Sequence, residues 1–146
     1  MRTITRGNAP EAAVLKALRE AGLHAFVPFG GGVPVDLIAS TDDAELYRLQ
    51  VKSGRLRNGC VMFNTCSTDH GSGRRDYRGR ADFIAAYVAE LDRVFVVPVN
   101  DCPSYVCTLR VRGTRNNQRR RVRFADDYAL ESWAAAISER VIADAA

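Results

Sequence analysis

Apolar positions recur at helical spacing near the start of the chain, where Val14, Leu15, Leu18 and Ala21 form one seam. Asn8 reads as the N-cap of this helix, Pro10 falls in its first turn, Glu11 stands three residues after the cap, and Gly22 is a stop. Ala25-Phe26-Val27-Pro28 looks extended, and Phe29-Gly30-Gly31-Gly32-Val33 is a glycine-rich connector. Val35 to Ala39 is an apolar run interrupted by one acid, Asp36; after the polar turn Ser40 to Glu45, Leu46 to Lys52 forms a second strand, and the two make a plausible hairpin. Cys60 to Thr65 reads as a third strand, and the polar stretch Ser67 to Arg80 as a long loop. Ala81 to Leu91 fits a helix by its alanines and a buried strand by Phe83, Ile84, Tyr87 and Val88. Arg93 to Val99 and Tyr105 to Arg112 read as strands, and Tyr128 to about Ala143 as a helix with Leu130, Trp133, Ala134, Ile137 and Val141 along one face. The order of elements is that of a single α+β domain over residues 1–146, a central sheet with helices toward both ends of the chain.

Composition adds little until charge is located. Apolar residues make up 47% and charged residues 26% of 146, which excludes wholesale disorder. No apolar run approaches the ~18 residues of a membrane span, and the first residues lack a signal-peptide stretch, so a soluble cytoplasmic protein is expected. The net charge is +4, but Arg110 to Arg123 holds seven arginines and no acid; subtracting them leaves −3 on the rest of the chain. Within that stripe Arg115, Asn116, Asn117, Gln118, Arg119, Arg120 and Arg121 interleave cations with amides suited to phosphates and base edges. Arg74, Arg75, Arg78 and Arg80, with Tyr77, form a second basic group, and Arg55 and Arg57 a third. The bland reading of each is a solvated edge or loop. Cys60, Cys66, Cys102 and Cys107 have no zinc-site spacing and no export signal behind them, so buried free thiols are expected over disulfides. His70 reads as a loop histidine.

Three polar residues interrupt apolar surroundings. Glu11 lies four and seven residues before Leu15 and Leu18, on the inward seam of the first helix, where it also fits a capping box with Asn8. Asp36 interrupts the first apolar strand, with an edge acid or Asx turn as the plain alternative. Lys52, one of only two lysines beside Lys16, shares a strand face with Gln50, while Val51 faces the other way. Pairing of the two strands would bring Asp36 to Gln50 and Lys52, and such groups are costly to bury without a function or a bound ion.

Pro34-Val35-Asp36, a gap of thirteen residues and then Gln50-Val51-Lys52 resembles the PD-(D/E)XK nuclease signature, with Gln in the place of the usual acid. Gly7-x3-Glu11, Gln50-Val51-Lys52-Ser53-Gly54-Arg55, Asp82 to Val88, Val96-Val97-Pro98-Val99, and Asn116-Asn117-Gln118 through Ala125-Asp126-Asp127-Tyr128 are similar to blocks of the group I intron homing endonucleases of that superfamily. The resemblance spans roughly residues 7 to 130 and implies a restriction-endonuclease-like core, with Asp82 to Val88 as a strand. It implies Mg²⁺, for which Mn²⁺ can substitute, held by Glu11, Asp36, Gln50 and the Val51 carbonyl. Lys52 would orient the attacking water or stabilise charge on the phosphorane. Gln50 removes one negative charge, which weakens the metal's hold before substrate phosphate arrives.

The implied function is phosphodiester hydrolysis in duplex or branched DNA by a homodimer or homotetramer, since cutting both strands needs two sites. A junction resolvase or restriction-type nuclease shares the same motif. A DNA-binding module of the same fold without the chemistry is a further alternative. A basic structural component would leave Glu11, Asp36 and Lys52 without a reason.

Overall fold

The first helix is built as its sequence directs. In the computed structural model, which describes residues 9–30, 32–42, 45–69, 73–111 and 122–145, α1 spans Ala9–Glu20. Val14 and Leu18, one turn apart, are fully buried and dock it on the sheet, at roughly 2 kcal/mol each. The helix ends in a Schellman arrangement: Leu23 N–H donates to Leu18 C=O at 3.0 Å, Gly22 N–H to Arg19 C=O at 3.1 Å, and Gly22 takes φ +82°. The expected cap, Asn8, lies outside the described residues.

Among the described residues nine strands follow: β1 His24–Phe26, β2 Leu37–Ser40, β3 Leu46–Arg57, β4 Cys60–Asn64, β5 Cys66–Asp69, β6 Gly73–Asp76, β7 Phe83–Val88, β8 Arg93–Pro98 and β9 Val106–Arg110. The chain closes with a 3-10 turn, Ala125–Tyr128, and the helix α2, Leu130–Ala145. β3 is the hub. Its first residues pair antiparallel with β2 (Leu37 opposite Leu49), and Leu49 to Gly54 pair parallel with Phe83 to Val88 of β7, on the other edge. Its last residues form a hairpin with β4, which pairs on to β9. β1 continues the sheet outside β2, and β8 outside β7.

Two local readings change and one that was open is decided. β3 runs five residues past Lys52 because Gly54 does not break it: a Cβ there would meet Val88 Cγ2 at 3.0 Å, so glycine lets β3 and β7 approach. Asn58 and Gly59, at φ 52° and 73°, then turn the chain into β4 as an Asn-Gly hairpin. Ser67 to Arg80 is not a loop throughout, since β5 and β6 pair as a two-stranded hairpin there. Its strands carry polar residues, so no apolar alternation marks them. Ala81 to Leu91 holds β7, a strand, as the resemblance implied; flanked by β3 and β8, its residues pack into apolar surroundings on both faces.

Two apolar clusters sandwich β7 and β8. On one side Val14 and Leu18 of α1 and Leu130, Ala134 and Ile137 of α2 cover Leu49, Val51, Ala85, Val94 and Val96. On the other, Val61, Phe63, Cys107 and Leu109 of the β4–β9 hairpin join Tyr77, Ile84, Ala86, Val88, Phe95 and Val97. All four cysteines are free; Cys60, Cys102 and Cys107 are buried as expected, whereas Cys66 is half-buried. Among the described residues no helix is long and apolar enough to cross a membrane.

Candidate active site

The β2–β3 register places Asp36 beside the middle of β3. Asp36 stands one residue before β2, and its N–H donates to the Leu49 carbonyl at 3.0 Å, carrying the ladder one step beyond the strand. The carboxylate thereby faces residues 50 and 51. Asp36 Oδ2 accepts from the Val51 N–H at 2.9 Å and from Gln50 Nε2 at 2.6 Å. Gln50 Nε2 also lies 3.5 Å from the Val51 carbonyl oxygen, so its NH₂ group sits between two oxygens. Three of the expected residues, Asp36, Gln50 and Val51, are thus in direct contact.

Glu11 joins them through its field. It lies in the first turn of α1, half-buried, and its carboxyl is pushed above the ordinary range, first by burial and then by the Asp36 carboxylate. The Glu11 and Asp36 carboxylates, the Gln50 amide oxygen and the Val51 carbonyl are hard oxygen donors of the kind a divalent cation takes. Among the described residues no group of three or more His, Cys, Asp and Glu is placed to hold a metal.

Lys52 shares the pleat face of Gln50 but its ammonium is held elsewhere. Nζ donates to Tyr77 Oη at 2.9 Å and to the Cys66 carbonyl at 3.3 Å. Among the described residues it forms no ion pair within 4.0 Å. The expected meeting of Asp36 with Gln50 is present; with Lys52 there is no direct contact of that kind. Tyr77, noted in the sequence only as an aromatic among arginines, is buried, and its ring stacks under the Arg80 guanidinium at 5.2 Å. An isolated tyrosine between basic residues gives no sequence signal for that role, because β5 and β6 lie between it and Lys52.

A second pair of residues was also missed. Two positions before Gln50, Arg48 clasps Asp82 at the entrance of β7: its N–H, Nε and Nη2 reach the carboxylate at 2.8, 3.3 and 3.0 Å. Asp82 N–H returns to the Arg48 carbonyl at 2.9 Å. The Arg48 hydrogen bonds hold the Asp82 carboxyl below its ordinary range.

The basic groups divide. Arg74 and Arg75 on β6 are exposed. Arg78 instead bonds Asp76 Oδ2 at 2.8 Å and the Cys102 carbonyl at 3.1 Å. Arg55 and Arg57 are exposed, but alternation along β3 sends them to the pleat face opposite Gln50 and Lys52. Arg115, Asn116, Asn117, Gln118, Arg119, Arg120 and Arg121 lie outside the described residues.

The chain is similar to known proteins. A family model described as PD-(D/E)XK endonuclease matches residues 1–131. Among solved structures, that of a bacterial homing endonuclease, I-Ssp6803I, superposes with a TM-score of 0.72 over 96% of each chain, at 23% identity. At that identity the likeness carries the fold: the α+β, restriction-endonuclease-like core. No curated protein matches the sequence.

Proposed function

From the premise that this chain belongs to the PD-(D/E)XK endonuclease family, we propose that it is a Mg²⁺-dependent DNA endonuclease of the homing type, with Mn²⁺ able to substitute. The observation that carries this reading is the contact of Asp36 with Gln50 and Val51, with the Lys52 ammonium, held by neutral partners, two residues beyond Gln50 on the same strand face. The solved neighbour, a homing endonuclease, favours that type over a junction resolvase or a restriction enzyme.

The residues that would hold the metal are Asp36, Glu11, Gln50 through its amide oxygen, and Val51 through its carbonyl. When bound, Mg²⁺ supplies positive charge against the scissile phosphate and makes a water more acidic. Gln50 now presents its NH₂ to Asp36; a half-turn of the amide replaces that donor by the oxygen. The Asp36 carboxylate is held by the Val51 N–H, a donor fixed in the backbone of β3. Lys52 orients the attacking water and balances charge gathering on the phosphate. Arg74 and Arg75, with the arginine stripe Arg115 to Arg121, supply contacts to the DNA backbone. Arg55 and Arg57 face the other side of β3 and serve, at most, flanking DNA. A homodimer or homotetramer would give the two sites that a double-strand break requires.

Gln50 in the place of the acid favours a second reading, a DNA-binding module that has lost its chemistry. Nicking of supercoiled plasmid carrying randomised inserts separates the two. The wild type is expected to cleave with Mg²⁺ and not with EDTA, and Asp36→Ala and Lys52→Ala to remove cleavage. Binding without metal-dependent cleavage of any insert would establish the second reading.

A further inference from the structure

Lysine side chains reach their targets through four rotatable methylenes, so an ammonium used in catalysis must be steered. Here the steering groups come from outside β3. Nζ of Lys52 donates to Tyr77 Oη at 2.9 Å and to the Cys66 carbonyl at 3.3 Å, the two chain ends of the β5–β6 hairpin. The tyrosine is itself immobilised. It is 4% exposed, packs in the cluster with Ala81, Ile84 and Ala86, and stacks under Arg80 at 5.2 Å. Its carbonyl accepts the Arg80 and Ala81 N–H groups at 2.8 and 3.0 Å.

We propose that Tyr77 is the positioning residue for Lys52: its buried hydroxyl, with the Cys66 carbonyl, seats the ammonium on the strand face it shares with Gln50 and off the Asp36 carboxylate. This rests on Lys52 acting in the proposed nuclease reaction. An alternative position for the ammonium exists. Lys52 shares its strand face with Gln50, whose amide touches Asp36 Oδ2, so a lysine of ordinary reach can fold back onto that carboxylate. An Asp36–Lys52 ion pair would neutralise the metal-binding acid and withdraw the cation from substrate. Tyr77 offers a neutral acceptor that competes with that collapse.

The chain has only two lysines, which makes the seat directly visible. In ¹⁵N ammonium NMR, Lys16 is the internal reference: it is exposed and, among the described residues, ion-pairs with Glu20 alone, at 3.7 Å. In the wild-type protein without metal or DNA, Lys52 is expected to give a sharp, slowly exchanging signal and Lys16 an averaged one. Tyr77→Phe keeps the ring and deletes the hydroxyl. It is expected to change the Lys52 signal alone, to weaken binding of Mg²⁺ alone by calorimetry about fivefold, and to slow single-turnover cleavage about tenfold with DNA affinity in Ca²⁺ unchanged. In a Lys52→Met background the same substitution should alter neither Mg²⁺ affinity nor rate by more than about twofold.

An unchanged Lys52 signal in Tyr77→Phe overturns the proposal, as does a loss of rate that persists at full size beside Lys52→Met. Full cleavage by Lys52→Met overturns instead the role of Lys52 in the reaction, and absence of metal-dependent cleavage by the wild type overturns the nuclease reading; in either case the seat itself is judged by the NMR and Mg²⁺ measurements. If deleting the hydroxyl prevents folding, 3-fluorotyrosine in place of tyrosine keeps ring and hydroxyl but weakens the acceptor. The Lys52 signal must then shift while that of Lys16 does not.

Discussion

Two neighbouring parts of β3 treat charge in opposite ways. Arg48 and Asp82 meet directly, through three hydrogen bonds at 2.8–3.3 Å, and each neutralises the other. A few residues on, among the described residues, Asp36 and Lys52 hydrogen-bond neutral partners: Asp36 the Gln50 amide and the Val51 N–H, Lys52 the Tyr77 hydroxyl and the Cys66 carbonyl. Magnitudes explain why each has two. Opposite unit charges 4 Å apart near a protein surface attract by about 4 kcal/mol, while a hydrogen bond to a charged group contributes about 1.5–3 kcal/mol. One neutral partner would lose to that attraction; two on each side hold it off. Paired charge ties strands together, whereas charge kept on neutral partners remains available to a cation and a phosphate.

The largest effect should come from breaking the second arrangement. Lys52→Met removes a charge that, among the described residues, no acid within 4.0 Å compensates, so folding loses two hydrogen bonds to neutral partners while cleavage loses nearly everything. We expect cleavage to fall by about 10³-fold or more, with DNA affinity in Ca²⁺ within about threefold of wild type. Parallel rate and thermal-melt measurements test this split; a melt lowered as much as that of a core substitution would assign Lys52 to structure.

The same distinction sorts the arginines. Arg78 is paired with Asp76 and the Cys102 carbonyl, whereas Arg74 and Arg75 are exposed and, among the described residues, have no acid within 4.0 Å. Arg74/Arg75→Ala is expected to weaken DNA binding about tenfold and to flatten log K against log salt by up to ~1.8. Arg78→Ala should leave that slope unchanged. Affinity titrations over a salt series decide it, and equal slopes for all three proteins would take β6 out of the interface.

Much of this was legible in the sequence, and the limits are physical. α1, α2 and β8 follow from apolar periodicity and chain breakers, and the contact of Asp36 with Gln50 from their spacing about a hairpin. β7 could not be read locally, because a strand apolar on both faces loses the alternation that distinguishes it from a helix. The β5–β6 hairpin escaped because its strands are polar. Tyr77 escaped with it: a hydroxyl that meets a lysine 25 positions earlier is a property of how the hairpin folds back, not of any spacing. Asp82 was visible within a block of the resemblance, but its partner Arg48 was not, since parallel pairing of β3 with β7 is what joins them.

The smallest effect belongs to the paired charge, and its sign is fixed by the direction of the shift. The Arg48 hydrogen bonds hold the Asp82 carboxyl below its ordinary value, outweighing the opposing effect of burial. A carboxyl depressed in the folded state releases its proton more readily there than in the unfolded chain. Its contribution is therefore complete above the unfolded pKa and disappears as pH falls through the lower, folded one. Both side chains remain more than a third exposed, so solvent screening reduces the gain to about 1 kcal/mol at neutral pH. Asp82→Asn should thus lower stability by about that amount at pH 7, and the gap from wild type should close in acid, below the ordinary carboxylate pKa. Urea unfolding across pH 2–7 measures it. A gap that stays constant into acid would show that Asp82 acts by shape and amide-compatible hydrogen bonding, and that the contrast between the two parts of β3 is not one of charge.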